Sequence, residues 1–331
     1  MNKIFKNIIP NDFQGGVLVL KNGQIIFKYC QGKSDFNTNA LFTSDTTITL
    51  ASLSKQFVAV AIMLQVEKNI ISLNDTIDCY FPQYLPGKKI TIRNLLHHSS
   101  GIPDYVSDRI IPDAIKKYEM KHGIPPKSPI EFNKCIVNEC YILTLSKCFE
   151  LIGELPIKFE PSTKGQYSNT NYFLLGHILK IITGKSLQVV MQEIFKKFGL
   201  KRTHMNGQIA DACGYVKYNN ELFSCGRPAM YSGDSSVVSC LNDMGIWCNA
   251  ILNYNVLSSD SWKECFNFNP EPYGCGFCQF DNGWFGHDGG LPGLRHWQRI
   301  NFKRKVAIII LSNFVIDEPK FLTQMMDYLI C

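Results

Sequence analysis

The chain opens in β fashion. Residues 16–20 and 24–29 are two β-rich runs joined through Asn22-Gly23, the pair that a two-residue hairpin turn favours. From 52 to 68 the apolar positions switch to helical spacing, with Phe57, Val58, Ala61, Ile62, Gln65 and Val66 tracing one broad face. Asn74 or Asp75 reads as a turn or cap, and Leu95-Leu96 leads into a polar cluster ending at Ser100-Gly-Ile-Pro103. Beyond it, Lys116 to Glu119 has helical character, Pro125, Pro126 and Pro129 interrupt it, and 132–151 is compatible with helix again. Residues 165–171 read as a loop. An amphipathic helix over 173–182, stopped by Gly184, and another over 187–198 follow.

The last third returns to strand character. Residues 214–217 and 221–223 flank Asn219-Asn220 as a second hairpin, and 242–252 forms a helix with Asn242 as its cap. Strands are expected over 273–280, around His287, over 294–302 and over 306–313, before a closing helix at 319–330. Strands at both ends with helices between them imply an α+β fold of one domain, 1–331. Its antiparallel sheet subdomain takes about 1–75 and 242–331, and a helical and irregular insert takes about 76–241.

Composition narrows the function classes. Of 331 residues, 45% are hydrophobic and 19% charged, enough for a substantial core. The net charge of +6 is spread as short basic clusters such as Lys116-Lys117 and Lys303-Arg304-Lys305, which argues against a nucleic-acid partner. The N-terminus lacks the apolar stretch of a secretory signal, and no run reaches the length of a membrane helix. The expectation is a soluble, intracellular protein without a membrane partner. The 13 cysteines follow no spacing framework and read as free, buried, small apolar residues; Cys275-x-x-Cys278 lacks the second pair a zinc site needs. Adjacent His97 and His98 make a poor chelating pair and read as packing beneath the site. No cofactor or metal is expected.

Three short motifs carry chemistry. In Ser52-Leu-Ser-Lys55 the reactive pair stands at i and i+3 on a helix start, so hydroxyl and amine share a face. A serine hydroxyl attacks only when a neighbour takes its proton, and a lysine does so only when desolvation or a second cation leaves it neutral. Tyr167-Ser-Asn169 offers a phenol as a second proton carrier and an amide for a substrate carbonyl. A second Tyr-x-Asn, Tyr218-Asn-Asn220, falls in the hairpin turn and is set aside. Gly286-His287-Asp288-Gly289-Gly290, followed by Leu-Pro-Gly293, puts glycines on a strand, as close approach of a substrate to the backbone requires. Trp284 lies near this motif as a candidate pocket wall. Asp104-Tyr105 reads by default as a structural turn.

In that order the motifs resemble the serine β-lactamase and penicillin-binding-protein superfamily, in the branch with class C β-lactamases, D-alanyl-D-alanine carboxypeptidases, D-amino-acid peptidases and esterases. Leu95-Leu-His-His-Ser-Ser-Gly101-Ile-Pro103 and the form of 287–293 extend the likeness from residue 14 to about 315, with 107–155 least similar. The resemblance implies a β-lactamase-like fold and a serine hydrolase acting through an acyl-enzyme on an amide or ester of a small molecule or peptide. It implies Ser52 as nucleophile, Lys55 as base or relay and Tyr167 as proton shuttle. Asn169 would orient the substrate amide, and the N–H groups of Ser52 and Gly290 would form the oxyanion hole beside His287 and Gly289. The third motif departs from the usual Lys-Thr-Gly: His287 supplies no fixed cation, and Asp288 either reaches the pocket and repels a carboxylate or points away. That shifts the expected substrate from β-lactams toward esters, amides and amine-bearing peptides. A catalytically silent binding or assembly module is the other reading; oligomeric state is left open.

Overall fold

The computed structural model describes residues 2–137, 143–153, 155–205, 209–227, 232–268 and 272–330. Asn22 and Gly23 both take left-handed backbone (φ 52° and 78°), so the hairpin closes between β1 (Gly15–Lys21) and β2 (Gln24–Gln31) as the sequence pattern requires. The sheet is completed by β3 (Cys278–Gln279), β4 (Phe285–Leu291), β5 (Leu294–Asn301) and β6 (Val306–Ser312). Its order is β2-β1-β6-β5-β4-β3, antiparallel throughout, so the two chain ends meet at its centre with Val17 opposite Ile310.

Both central strands are buried on both faces, which is why 306–311 reads as an unbroken apolar run. Leu18, Leu20, Ala307, Ile309 and Leu311 face one core, and Val17, Val19, Ile308 and Ile310 face the other. The second core is closed by the terminal helices α1 (Asn2–Ile8) and α6 (Lys320–Ile330), through Phe5, Phe321, Leu322, Met325 and Leu329. The first is shared with α2 (Ser54–Glu67), α3 (Asn169–Thr183), α4 (Leu187–Phe198) and α5 (Leu241–Leu252). The chain therefore has the α+β architecture expected of it, an antiparallel sheet built from both chain ends and flanked by helices.

Several elements differ from the sequence reading. Helix α2 has no polar face: every residue from Ser54 to Gln65 is buried, because the sheet, α3, α4 and Ser259–Cys265 enclose it. Asn242 is not the cap of α5. Cys240 holds that position, while the Asn242 amide reaches Asp45 at 2.7 Å. The expected strand at 273–280 shrinks to Cys278–Gln279, since the preceding segment is pressed against α2: a Cβ on Gly276 would lie 2.8 Å from the Gln56 Cα. The expected helix at 132–151 is two, Pro129–Ile136 and Leu145–Gly153; residues 138–142 lie outside the described residues. The loop expected at 165–171 ends at Ser168, which puts Asn169 in the first turn of α3. Among the described residues no single helix is long and apolar enough to cross a membrane.

Candidate active site

Ser52 sits on a short 3-10 turn, Ala51–Leu53, that feeds α2. Ala51 is held at φ 52°, a conformation that costs an L-residue roughly 1–2 kcal/mol. The neighbourhood imposes it. The Leu50 N–H donates to the Val237 carbonyl at 2.7 Å, and the Val237 N–H donates to Ser54 Oγ at 2.9 Å. Strand β4 lies directly over this turn. A Cβ on Gly289 would stand 2.5 Å from the Leu50 carbonyl oxygen and 2.7 Å from Leu53 Cδ1, so only glycine permits the approach. Because β3 pairs only with Phe285 and Gly286, the β4 edge from His287 onward has no partner strand among the described residues beside Ser52. A cleft of about 410 Å³ opens there, with Ser52, Gly289, Gly290 and Arg295 in its wall.

The first two motifs meet at one atom. Ser52 Oγ receives hydrogen bonds from Lys55 Nζ at 3.1 Å and from Tyr167 Oη at 2.8 Å. Lys55 is completely buried, and its Nζ also donates to Asn169 Oδ1 and to the Asp234 carbonyl, each at 2.9 Å, so three acceptors match its three protons. Burial lowers its pKa to about 8, with the carboxylates of Asp234 and Asp104 holding it up. Tyr167 keeps 38% of its surface exposed while its hydroxyl reaches Ser52 Oγ. Desolvation there drives the phenol well above its usual range, opposed by the Ser52 hydrogen bond.

Strand alternation separates the third motif. His287 and Gly289 face Ser52; Asp288 projects to the opposite face, where Arg299 pairs with both Asp288 and Glu318. The Asp288 charge is thus compensated at the rim of the cleft. The Asp288 carbonyl can only accept, so the 2.6 Å contact puts the proton on His287 Nδ1 and leaves Nε2 to accept from Tyr273 Oη at 3.0 Å. Desolvation, with Lys55 nearby, lowers the pKa of this imidazole to about 3, so it is neutral. His98 packs under the Tyr167 ring at 4.4 Å, and its Nδ1 accepts from the Ser168 N–H at 3.2 Å, fixing the residue that precedes Asn169. His97 turns away toward Glu264. No group of metal ligands exists among the described residues. Trp284 does not line the cleft; it is buried in the core behind the sheet.

The sequence reading missed three contacts. Asp104, expected as part of a plain turn, is buried and accepts from Asn169 Nδ2 at 3.0 Å. Asp234 supplies a carbonyl to Lys55, and Tyr273 a hydroxyl to His287. The Asp-Tyr pair after Pro103 was the available signal for the first; isolated Asp234 and Tyr273 offered none.

A family model described as Beta-lactamase matches residues 10–323. Penicillin-binding protein 4* of Bacillus subtilis (strain 168) is 26% identical over 332 residues, covering 92% of this chain and 68% of that protein. A D-aminopeptidase of Brucella anthropi is 24% identical over 94% of this chain, which spans 58% of the relative's length. Among solved structures, a penicillin binding protein from Bacillus halodurans superposes with a TM-score of 0.80 at 20% identity, covering 99% of both chains. D-amino acid amidase from Ochrobactrum anthropi SV3, complexed with D-phenylalanine, gives 0.78 at 20% identity, covering 99% of this chain and 96% of that one. A single family model that runs from before the first strand into the closing helix takes in the sheet, the Ser52 turn and every strand that surrounds it: this chain belongs to the Beta-lactamase family.

Proposed function

We propose that this chain is a serine hydrolase that cleaves an amide or ester through an acyl group carried on Ser52. The observation that carries the reading is the convergence of Lys55 Nζ and Tyr167 Oη on Ser52 Oγ, at 3.1 and 2.8 Å. A silent binding module has no need of a buried lysine held against a serine at a pKa of about 8.

In this mechanism the neutral fraction of Lys55 accepts the Ser52 proton as Oγ attacks the substrate carbonyl carbon. The carbonyl π electrons move to oxygen, and the N–H groups of Ser52 and Gly290 receive that oxyanion. Tyr167, still a phenol, passes its proton to the departing amine or alkoxide and is reprotonated from Lys55. Collapse of the tetrahedral adduct leaves Ser52 acylated, and water attacks next by the reverse relay. One N–H of Asn169 remains to orient a substrate carbonyl, and the β4 edge beyond Gly286 offers backbone groups to an extended substrate. His287, neutral, shapes the cleft without supplying a cation. Similarity to a D-aminopeptidase and a penicillin-binding protein supports amides and short peptides as the first class to try.

The test is turnover of a panel of D- and L-amino-acid anilides, short-chain nitrophenyl esters and a chromogenic β-lactam. Activity on at least one, abolished by Ser52→Ala with an unchanged melting temperature, is expected. Residual activity of the Ser52→Ala protein equal to wild type would remove the reading.

A further inference from the structure

The amide of Asn169 has two different ends in two different environments. Its Oδ1 accepts from Lys55 Nζ at 2.9 Å, and its Nδ2 donates to the Asp104 carboxylate at 3.0 and 3.3 Å. Among the described residues every other partner of the Asp104 side chain is a donor too: the Val106 N–H at 3.0 Å and Ser107 Oγ at 3.1 Å. A carboxylate receiving only donors is matched to its ionised form. The loop holding it is braced, since the Asp104 N–H donates to Asp108 Oδ2 at 2.7 Å and Asp108 pairs with Lys158.

This arrangement has a consequence for Lys55. An asparagine amide is nearly symmetric in shape, so only its partners decide which end faces the lysine. An acceptor-only group at Asp104 forces the NH₂ outward and turns the oxygen to Nζ. Without it the amide is free to reverse and set two N–H groups against an ammonium. We infer that Asp104 is a positioning residue of this site: through Asn169 it fixes where Lys55 sits against Ser52, and its buried charge, together with that of Asp234, helps Lys55 keep its proton. The inference rests on the hydrolase reading for its catalytic meaning.

Other titratable groups face Lys55 from the elements packed around it. Asp234 is the second carboxylate, but it touches the amine only through its backbone carbonyl; its side chain is engaged by Tyr105 Oη at 2.9 Å and by Ser235. Cys278 lies on the strand side, with burial raising its thiol to about 12, so it is uncharged at neutral pH. His98 and His287 are both neutral imidazoles, and Tyr167 and Tyr172 present ring faces 4.9 and 5.8 Å from Nζ. Asp234 exerts the larger electrostatic pull on Lys55, but among the described residues Asp104 is the carboxylate whose side chain reaches the lysine along a hydrogen-bonded path, through Asn169. Burial pushes its own carboxyl above the usual range, with the Val106 N–H and Ser107 opposing.

Two substitutions separate the two effects. Asp104→Asn keeps an acceptor for Asn169 and removes the charge; Asp104→Ala removes both. The direct readout is the titration of Lys55 itself, followed by ¹³Cε chemical shift in lysine-labelled full-length protein and assigned by comparison with Lys55→Arg. In Asp104→Asn the midpoint is expected to fall by about one pH unit, the size of effect one nearby opposite charge produces. An unchanged midpoint in folded Asp104→Asn would overturn the inference. Because the titration does not depend on turnover, it stands or falls separately from the hydrolase reading, which fails instead if wild-type Ser52 is inert. Labelling of Ser52 by a fluorophosphonate supplies the positional half. Asp104→Asn is expected to keep a maximal rate within about threefold of wild type, its alkaline rise displaced downward by the same unit, while Asp104→Ala loses at least about tenfold at every pH. Equal maximal rates in Asp104→Ala and wild type would show that Asn169 needs no guide.

Discussion

The state of Lys55 makes a quantitative demand on the chemistry of Ser52. With a pKa of about 8, roughly one molecule in ten carries the neutral amine at pH 7. At lysine's ordinary 10.5 that fraction is roughly one in 3,000, so burial enlarges the pool of usable base about 300-fold. The sign follows directly: protonated Lys55 donates to Ser52 Oγ and blocks it, while neutral Lys55 accepts. The logarithm of the rate at which a fluorophosphonate modifies Ser52 should therefore climb with unit slope from pH 6, bend near 8 and level by 9.5. Stopped-time intact-mass measurements on protein equilibrated at each pH give the curve, with circular dichroism verifying the fold at both ends. A rate independent of pH between 6 and 9 would refute the reasoning, and so would one still rising at pH 10, since either would mean that the group activating Ser52 does not have this desolvated character.

Other outcomes follow from the same geometry. Tyr167→Phe leaves the ring but deletes the hydroxyl that reaches Ser52; hydrolysis of an anilide should fall by about 10²-fold or more, while esters with good leaving groups, measured in the same assay, suffer less. Gly289→Ala drives a methyl to within 2.5 Å of the Leu50 carbonyl and displaces β4 from the Ser52 turn, so kcat/KM should drop at least about tenfold while circular dichroism shows an intact sheet. Glu264→Gln strips a full charge from a carboxylate shared by Arg93 and buried His97; chemical denaturation should register a loss of about 2 kcal/mol, with Ser52 labelling preserved.

The legible part of this protein is its punctuation and the side chains that meet at its candidate site. Asn22-Gly23, Asn219-Asn220 and Gly184 each demand left-handed backbone, and each turn or helix end fell where that demand placed it. The three motifs were visible because few residue types can do their chemistry. Less visible was anything decided by tertiary enclosure. The spacing gives α2 one broad buried face, yet Gln56, outside that face, is also buried, against Gln298 and Trp247, and every residue from Ser54 to Gln65 is enclosed. Helix α1 escapes the pattern because it is only seven residues long and buries a single side chain, Phe5, fully. Asn242 suits a cap by residue type, but its Oδ1 accepts from Lys28 and its Nδ2 donates to Asp45. Asp104 was hidden for a related reason: an aspartate after a Gly-Ile-Pro turn is expected to serve its own loop, and only the packing of α3 brings Asn169 to it.

The most direct test of the whole account is intact mass after incubation of the folded chain with a fluorophosphonate, beside Ser52→Ala and Lys55→Ala. The account requires a single adduct on wild type, mapped to Ser52, absent from Ser52→Ala and strongly slowed in Lys55→Ala. A folded wild-type chain that remains unmodified, or one modified equally well without Ser52, would contradict it.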